Sequence, residues 1–121
     1  MNTTKIEIEY VTIERLEGYH HELRQQHTFP SLSAANSELA HWSLTVGRGY
    51  HKCQYAIVFA DGFIYRGRYD LEPFTKAMPD LKNEILEELT YLATSEKIKN
   101  YEIYRDLSKK AEKILTNYQL T

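Results

Sequence analysis

Lys52, Arg66, Arg68 and Asp70 stand with Tyr50 in and beside the stretch HKCQYAIVFADGFIYRGRYD, among a run of ring side chains. Arginine suits two-point recognition, because its planar fork matches a carboxylate or a phosphate. On alternate positions of one strand, Arg66 and Arg68 share a face. That face reads either as an anion- or partner-binding surface or as the solvated side of a sheet carrying a Lys52–Asp70 ion pair. The second reading needs a neutralising carboxylate for the arginines, with Glu84, Glu87, Glu88 and Glu102 as candidates.

Other combinations carry less chemistry. GRGYHK at 47–52 resembles a phosphate loop, but such loops leave a strand and enter a helix, whose N-terminus holds the phosphate. Here the glycines leave a helix and enter a strand. The histidines are His20, His21, His27, His41 and His51. They lack the i, i+4 spacing that sets two metal ligands on one helix face, and the adjacent pair would point apart. Cys53 falls on an apolar face, where a buried inert thiol is the usual outcome. Glu87 and Glu88 read as a solvated helix face. No catalytic residue, metal site or cofactor is expected.

Strand register decides what surrounds the arginines. Asp61-Gly62 between two apolar runs signals a hairpin turn, in one of two registers. A two-residue loop would mix arginine with large apolar groups on both faces. A three-residue loop, Ala60-Asp61-Gly62, pairs Phe59 with Phe63, Ile57 with Tyr65, Tyr55 with Gly67 and Cys53 with Tyr69. The other face then pairs Val58 with Ile64, Ala56 with Arg66, Gln54 with Arg68 and Lys52 with Asp70. A one-residue slip turns every side chain over, so the amphipathic solution is expected, with Gly62 left-handed in the bulge.

The surrounding elements follow from periodicity. KIEIEYVTI alternates Ile6, Ile8 and Tyr10 against Glu7 and Glu9, which predicts a strand that ends or bulges where the phase slips at Val11 and Ile13. The polar stretch ERLEGYHHELRQQHTF predicts a turn and an irregular or short extended segment. Leu32, Ala35, Leu39 and Trp42 form a helical stripe, opened by Ser31 or Ser33 as cap and stopped at Gly47. Pro79 suits a first helical position, with Leu81, Ile85, Leu89 and Leu92 as the buried stripe. Ser95 can cap a second helix through Ile98, Tyr101, Leu107, Ala111, Ile114 and Tyr118, although a single bent helix also fits. The expected fold is α+β: a small three-stranded antiparallel sheet made of an N-terminal strand and the hairpin, with one short helix before the hairpin and two C-terminal helices packed on it. The 121 residues are expected to form a single domain, with a strand-helix-hairpin part at 1–76 and a helical part at 77–121.

Composition narrows the function classes. The net charge of −2 hides a gradient: −3 over residues 1–46, +2 over 47–76 and −1 over 77–121. No segment is basic enough for strong non-specific DNA binding, nor acidic enough to mimic DNA. Ten tyrosines favour wet, adaptable contact surfaces. A lone cysteine and the lack of an apolar run near the start predict a cytoplasmic chain without a membrane span.

GYHKCQYAIVFADGFIYRGRYDL resembles the core of a large polyvalent protein-associated domain family of phages, plasmids and integrative elements. Tyr50 and Lys52 match a Tyr-x-Lys element, and Tyr65, Gly67, Arg68 and Asp70 match Tyr-x-Gly-Arg-x-Asp. SLSAANSELAHW resembles the family's preceding helix. The resemblance implies a mobile-element origin and no catalytic residue. It suggests a non-enzymatic accessory protein that binds a host or element protein complex, possible targets being defence complexes of the CRISPR or restriction kind. Tyr50, Lys52, Arg66, Arg68 and Asp70 are the expected contact residues. The alternative is a nucleic-acid-associated factor using the Arg66/Arg68 face.

Overall fold

The computed structural model describes residues 4–17, 22–45, 51–70 and 80–120. Their order is β1 (Ile8–Glu17), β2 (Glu22–Phe29), α1 (Leu32–Thr45), β3 (His51–Phe59), β4 (Ile64–Asp70), α2 (Leu81–Thr94), α3 (Glu96–Asn100) and α4 (Glu102–Asn117). The strands form one antiparallel sheet in the order β2-β1-β3-β4. The fold is therefore α+β, with four strands in place of the three expected. The additional one is β2, in the stretch for which an irregular or short extended segment was expected. Gln25, Gln26, His27 and Thr28 are all exposed. A strand polar on both faces carries no alternation, and β2 is held by its pairing with β1.

The hairpin adopts the three-residue loop. Phe59 N–H donates to the Phe63 carbonyl at 2.9 Å, and every pair from Val58↔Ile64 to Lys52↔Asp70 is in the expected register. Gly62 has φ +91°, the left-handed conformation that the bulge demands. The Asp61 carboxylate accepts from Phe63 N–H at 3.0 Å, closing the turn from inside.

β1 bulges earlier than its sequence phase suggested and does not end there. Its ladder with β3 shifts between Ile8 and Tyr10, where Ile8 faces Phe59 and Tyr10 faces Val58. The slip turns Tyr10 outward, 38% exposed, and brings Val11 and Ile13 into the core.

The core lies against one sheet face. Val11, Ile13, Cys53, Tyr55, Ile57 and Phe59 meet Trp42, Leu39 and Leu32 of α1, Leu81, Ile85 and Leu89 of α2, and Ala111 and Ile114 of α4. The α1 stripe is the expected one, and the Ser31 hydroxyl caps it by accepting from Ala34 N–H at 3.2 Å. Gly47 and Pro79 lie outside the described residues. Asp80 caps α2 through Asn83 N–H, and the Asn36 side chain of α1 accepts from Leu81 N–H at 3.0 Å, joining two helices that the hairpin separates in sequence. The last buried residue of α2 is Ala93, with Leu92 only half-buried.

The chain breaks at Ser95, whose hydroxyl accepts from Ile98 N–H. It breaks again at Tyr101, so the second C-terminal helix is two, α3 and α4. Tyr101 and Leu107, expected in its stripe, are exposed. The far end of α4 is tied down. Ile6 N–H donates to Asn117 O and Gln119 N–H to Ile6 O, both at 2.9 Å, while Tyr118 packs between Phe59 and Phe63. Its hydroxyl donates to Asp61 at 2.8 Å. No described helix is long and apolar enough to cross a membrane.

Candidate functional site

The register sorts the hairpin into two faces. Under the helices lie Cys53, Tyr55, Ile57 and Phe59, with Phe63, Tyr65 and Tyr69 packed against the same core. The opposite face is built of rows that run across the strands. Tyr10, Val58 and Ile64 form one row; Thr28, Thr12, Ala56 and Arg66 the next; Gln26, Glu14, Gln54 and Arg68 the third. Tyr10 and Ile64 are 38% and 41% exposed, and both arginines are exposed. The core helices lie on the other side of the sheet.

Of the expected contact residues, Arg66 and Arg68 come together on this open face and Lys52 is half-buried on it. Lys52 stands opposite Asp70 in the ladder, while Tyr50 lies outside the described residues. Of the four candidate glutamates, Glu84, Glu87 and Glu88 border a cleft that Arg68 also lines, although the core helices cover the ring face of the sheet. Among the described residues neither arginine forms an ion pair, and an ion contact elsewhere joins His27 to Glu38 at 3.9 Å. Tyr10, Val58 and Ile64 were missing from the expected set. The Val58↔Ile64 pair was legible in the hairpin register, but Tyr10 reached the face only through the β1 bulge.

A second feature lies at the margin of β4. Tyr55, Arg68, Glu84, Glu87, Glu88 and Tyr91 line a cleft of about 410 Å³ between the sheet edge and α2. Gly67 shapes it: a Cβ there would overlap the hydroxyl end of the Tyr55 ring, which crosses the glycine. Burial raises the Tyr55 hydroxyl well above its ordinary value, helped by Tyr65 and by the Glu88 carboxylate. Burial likewise raises Tyr65, again with Glu88 assisting. Both phenols stay neutral at physiological pH, and their rings lie 6.3 Å apart between centroids, with Tyr55 lining the cleft.

The one thiol is chemically quiet. Cys53 is fully buried, and burial pushes it up to about 12. At neutral pH it is a protonated core residue and not a nucleophile. His20 and His21 lie outside the described residues. Among the described residues no three His, Cys, Asp or Glu side chains gather as a metal would require.

No protein-family model, curated protein or solved structure matches this chain.

Proposed function

We propose that this chain is a non-enzymatic protein-binding accessory protein of a mobile genetic element, and that it acts by occupying a host defence complex of the CRISPR or restriction kind. The observation that carries the binding reading is the open sheet face, where the row Tyr10–Val58–Ile64 adjoins Arg66 and Arg68. Aromatic residues and arginine are the types enriched in the buried cores of protein interfaces, beside an apolar strip that excludes water. The mobile-element context rests on the Tyr50-x-Lys52 and Tyr65-x-Gly67-Arg68-x-Asp70 resemblance. The buried, protonated Cys53 favours a binding role over nucleophilic catalysis.

The test expresses the chain in bacteria that carry an active CRISPR or restriction system and measures phage plating alongside affinity capture. Plating should rise, and one stoichiometric host protein should be captured. Both effects should be lost in Ile64→Asp combined with Arg68→Glu, while the exposed-helix variant Lys110→Glu keeps them. Failure to change plating and failure to capture any protein would overturn the reading.

A nucleic-acid reading draws on one observation: Arg66 and Arg68 share an open sheet face with Tyr10, an arrangement able to stack bases and contact phosphates. Glu14 on the same face opposes it. Fluorescence anisotropy with single-stranded oligonucleotides should show binding that weakens steeply with salt if this reading holds.

A further inference from the structure

Among the described residues β4 is a terminal strand of the sheet. In an antiparallel ladder, alternate residues turn their N–H and C=O groups toward the partner and the rest turn them away. The bond from Phe59 N–H to Phe63 O sets the phase, so Tyr65, Gly67 and Tyr69 face β3. Ile64, Arg66 and Arg68 then direct their backbone groups to the outer edge, where the described residues provide no neighbouring strand.

The two sides of that edge differ in charge. By the alternation of the strand Arg66 and Arg68 leave it on the open side, and Arg68 also borders the cleft. On the helix side lies the cleft, with Glu87 and Glu88 exposed along α2 and Tyr91 beside them, 56% exposed. Gly67 leaves the space between edge and cleft without a side chain of its own, and the Tyr55 hydroxyl comes forward into it.

Resting on the protein-binding reading, we infer that β4 takes an extended segment of the partner as a fifth strand, and that the segment alternates basic with acidic side chains. Directly opposed residues in a sheet share a face. Partner residues opposite Arg66 and Arg68 therefore meet the arginines and must be acidic. Those opposite Tyr65 and Gly67 look over the cleft toward Glu87 and Glu88 and must be lysine or arginine. Main-chain hydrogen bonds supply the affinity and the alternating charges supply the register. A second copy of this chain is a poor occupant, since β4 against β4 would bring arginines beside arginines, a recognised protection of strand edges.

The probe is a capped peptide of about nine residues, the length of an ordinary strand, alternating lysine and glutamate. Its controls are a block isomer of the same composition and a copy N-methylated on alternate amides. The alternating peptide should bind saturably and slow hydrogen exchange at the Ile64, Arg66 and Arg68 amides. The block isomer and the methylated copy should bind about tenfold more weakly or worse, as should Glu87→Gln combined with Glu88→Gln. Equal binding of the alternating and block peptides overturns strand addition, because only charge would then be read. So does binding without β4 protection, self-association through β4, or no binding at all. Those results leave the broader reading standing as long as the Ile64→Asp, Arg68→Glu variant still loses its captured partner. If that variant keeps the partner, the open-face reading fails separately.

Discussion

The two faces of the β3–β4 hairpin come from the same sixteen or so residues and serve opposite ends. Beneath the helices, Ile57 and Phe59 are completely buried and Tyr55 nearly so. Phe59 meets Phe63 at 5.9 Å and Tyr118 at 4.4 Å between ring centroids. On the other side, Ile64, Arg66 and Arg68 stand in solvent. One face is fixed by packing, so it tolerates little change. The other contributes almost nothing to packing and is available to a partner. Substitutions on the two faces should therefore separate stability from binding.

The largest loss is expected at the centre of the covered face. Phe59→Ala removes a ring held by Phe63 and Tyr118 and should cost about 3–5 kcal/mol of unfolding free energy. Urea denaturation checks it, and a loss comparable to that of a surface substitution would refute the packing assigned to this ring. A smaller loss, about 1–3 kcal/mol, is expected for Gly67→Ala, because the new methyl meets the buried Tyr55 ring. Pairing it with Tyr55→Phe tests the cause. Removing the hydroxyl relieves part of the overlap, so the double variant should be more stable than the sum of the singles predicts. Strict additivity would show that the glycine is required for another reason.

The same contrast explains what was legible in the sequence. The hairpin register could be read because only one phase gathers Tyr55, Ile57, Phe59, Phe63, Tyr65 and Tyr69 on one side. The α1 stripe was legible because Leu32, Ala35, Leu39 and Trp42 all bury. β2 was legible only as an irregular or short extended segment, since Leu23, Gln25, Gln26, His27 and Thr28 are all exposed and leave no periodic trace. Tyr10 looked like a core residue until the bulge beside it inverted its direction. The break at Tyr101 was hidden as well: this residue ends α3 without a side-chain cap, and neither glycine nor proline marks it. The Glu87–Glu88 cleft was missed for a different reason. It is made by α2 meeting the β4 edge across the Gly67 gap, and nothing local to either element announces that meeting.

Alkaline pH probes the covered face alone, with a moderate effect. The thiol of Cys53 is pushed up to about 12 from an ordinary 9.0 by burial. The unfolded chain releases this proton first, so above the ordinary value the folded state binds more protons and stability falls as pH rises. The loss continues until the folded thiol itself titrates. Tyr55 and Tyr65, both raised by burial, act in the same direction at higher pH. From about pH 7 to about pH 10, the thiol should account for roughly 1 kcal/mol of lost stability. Cys53→Ala should weaken that pH dependence although it leaves a small cavity at every pH. An identical slope in the variant would exclude the thiol as its source.

The smallest effect on stability is expected at Arg68, where the comparison between faces is most exposed to failure. Arg68 is exposed and forms no ion pair among the described residues. It lies diagonal to Arg66 on the same strand, so removing it also relieves a modest like-charge repulsion. Arg68→Ala should therefore shift unfolding free energy by no more than about 0.5 kcal/mol in either direction. Partner binding should fall by at least about tenfold, since arginine at an interface supplies several directed hydrogen bonds at once. Calorimetric melting and binding must be measured on the same preparation. A variant that melts markedly earlier would mean that Arg68 is structural, its charge satisfied by a carboxylate in the native fold. A variant that neither melts earlier nor binds less would assign it to neither role, and the open face would have to act through Tyr10 and Ile64 alone.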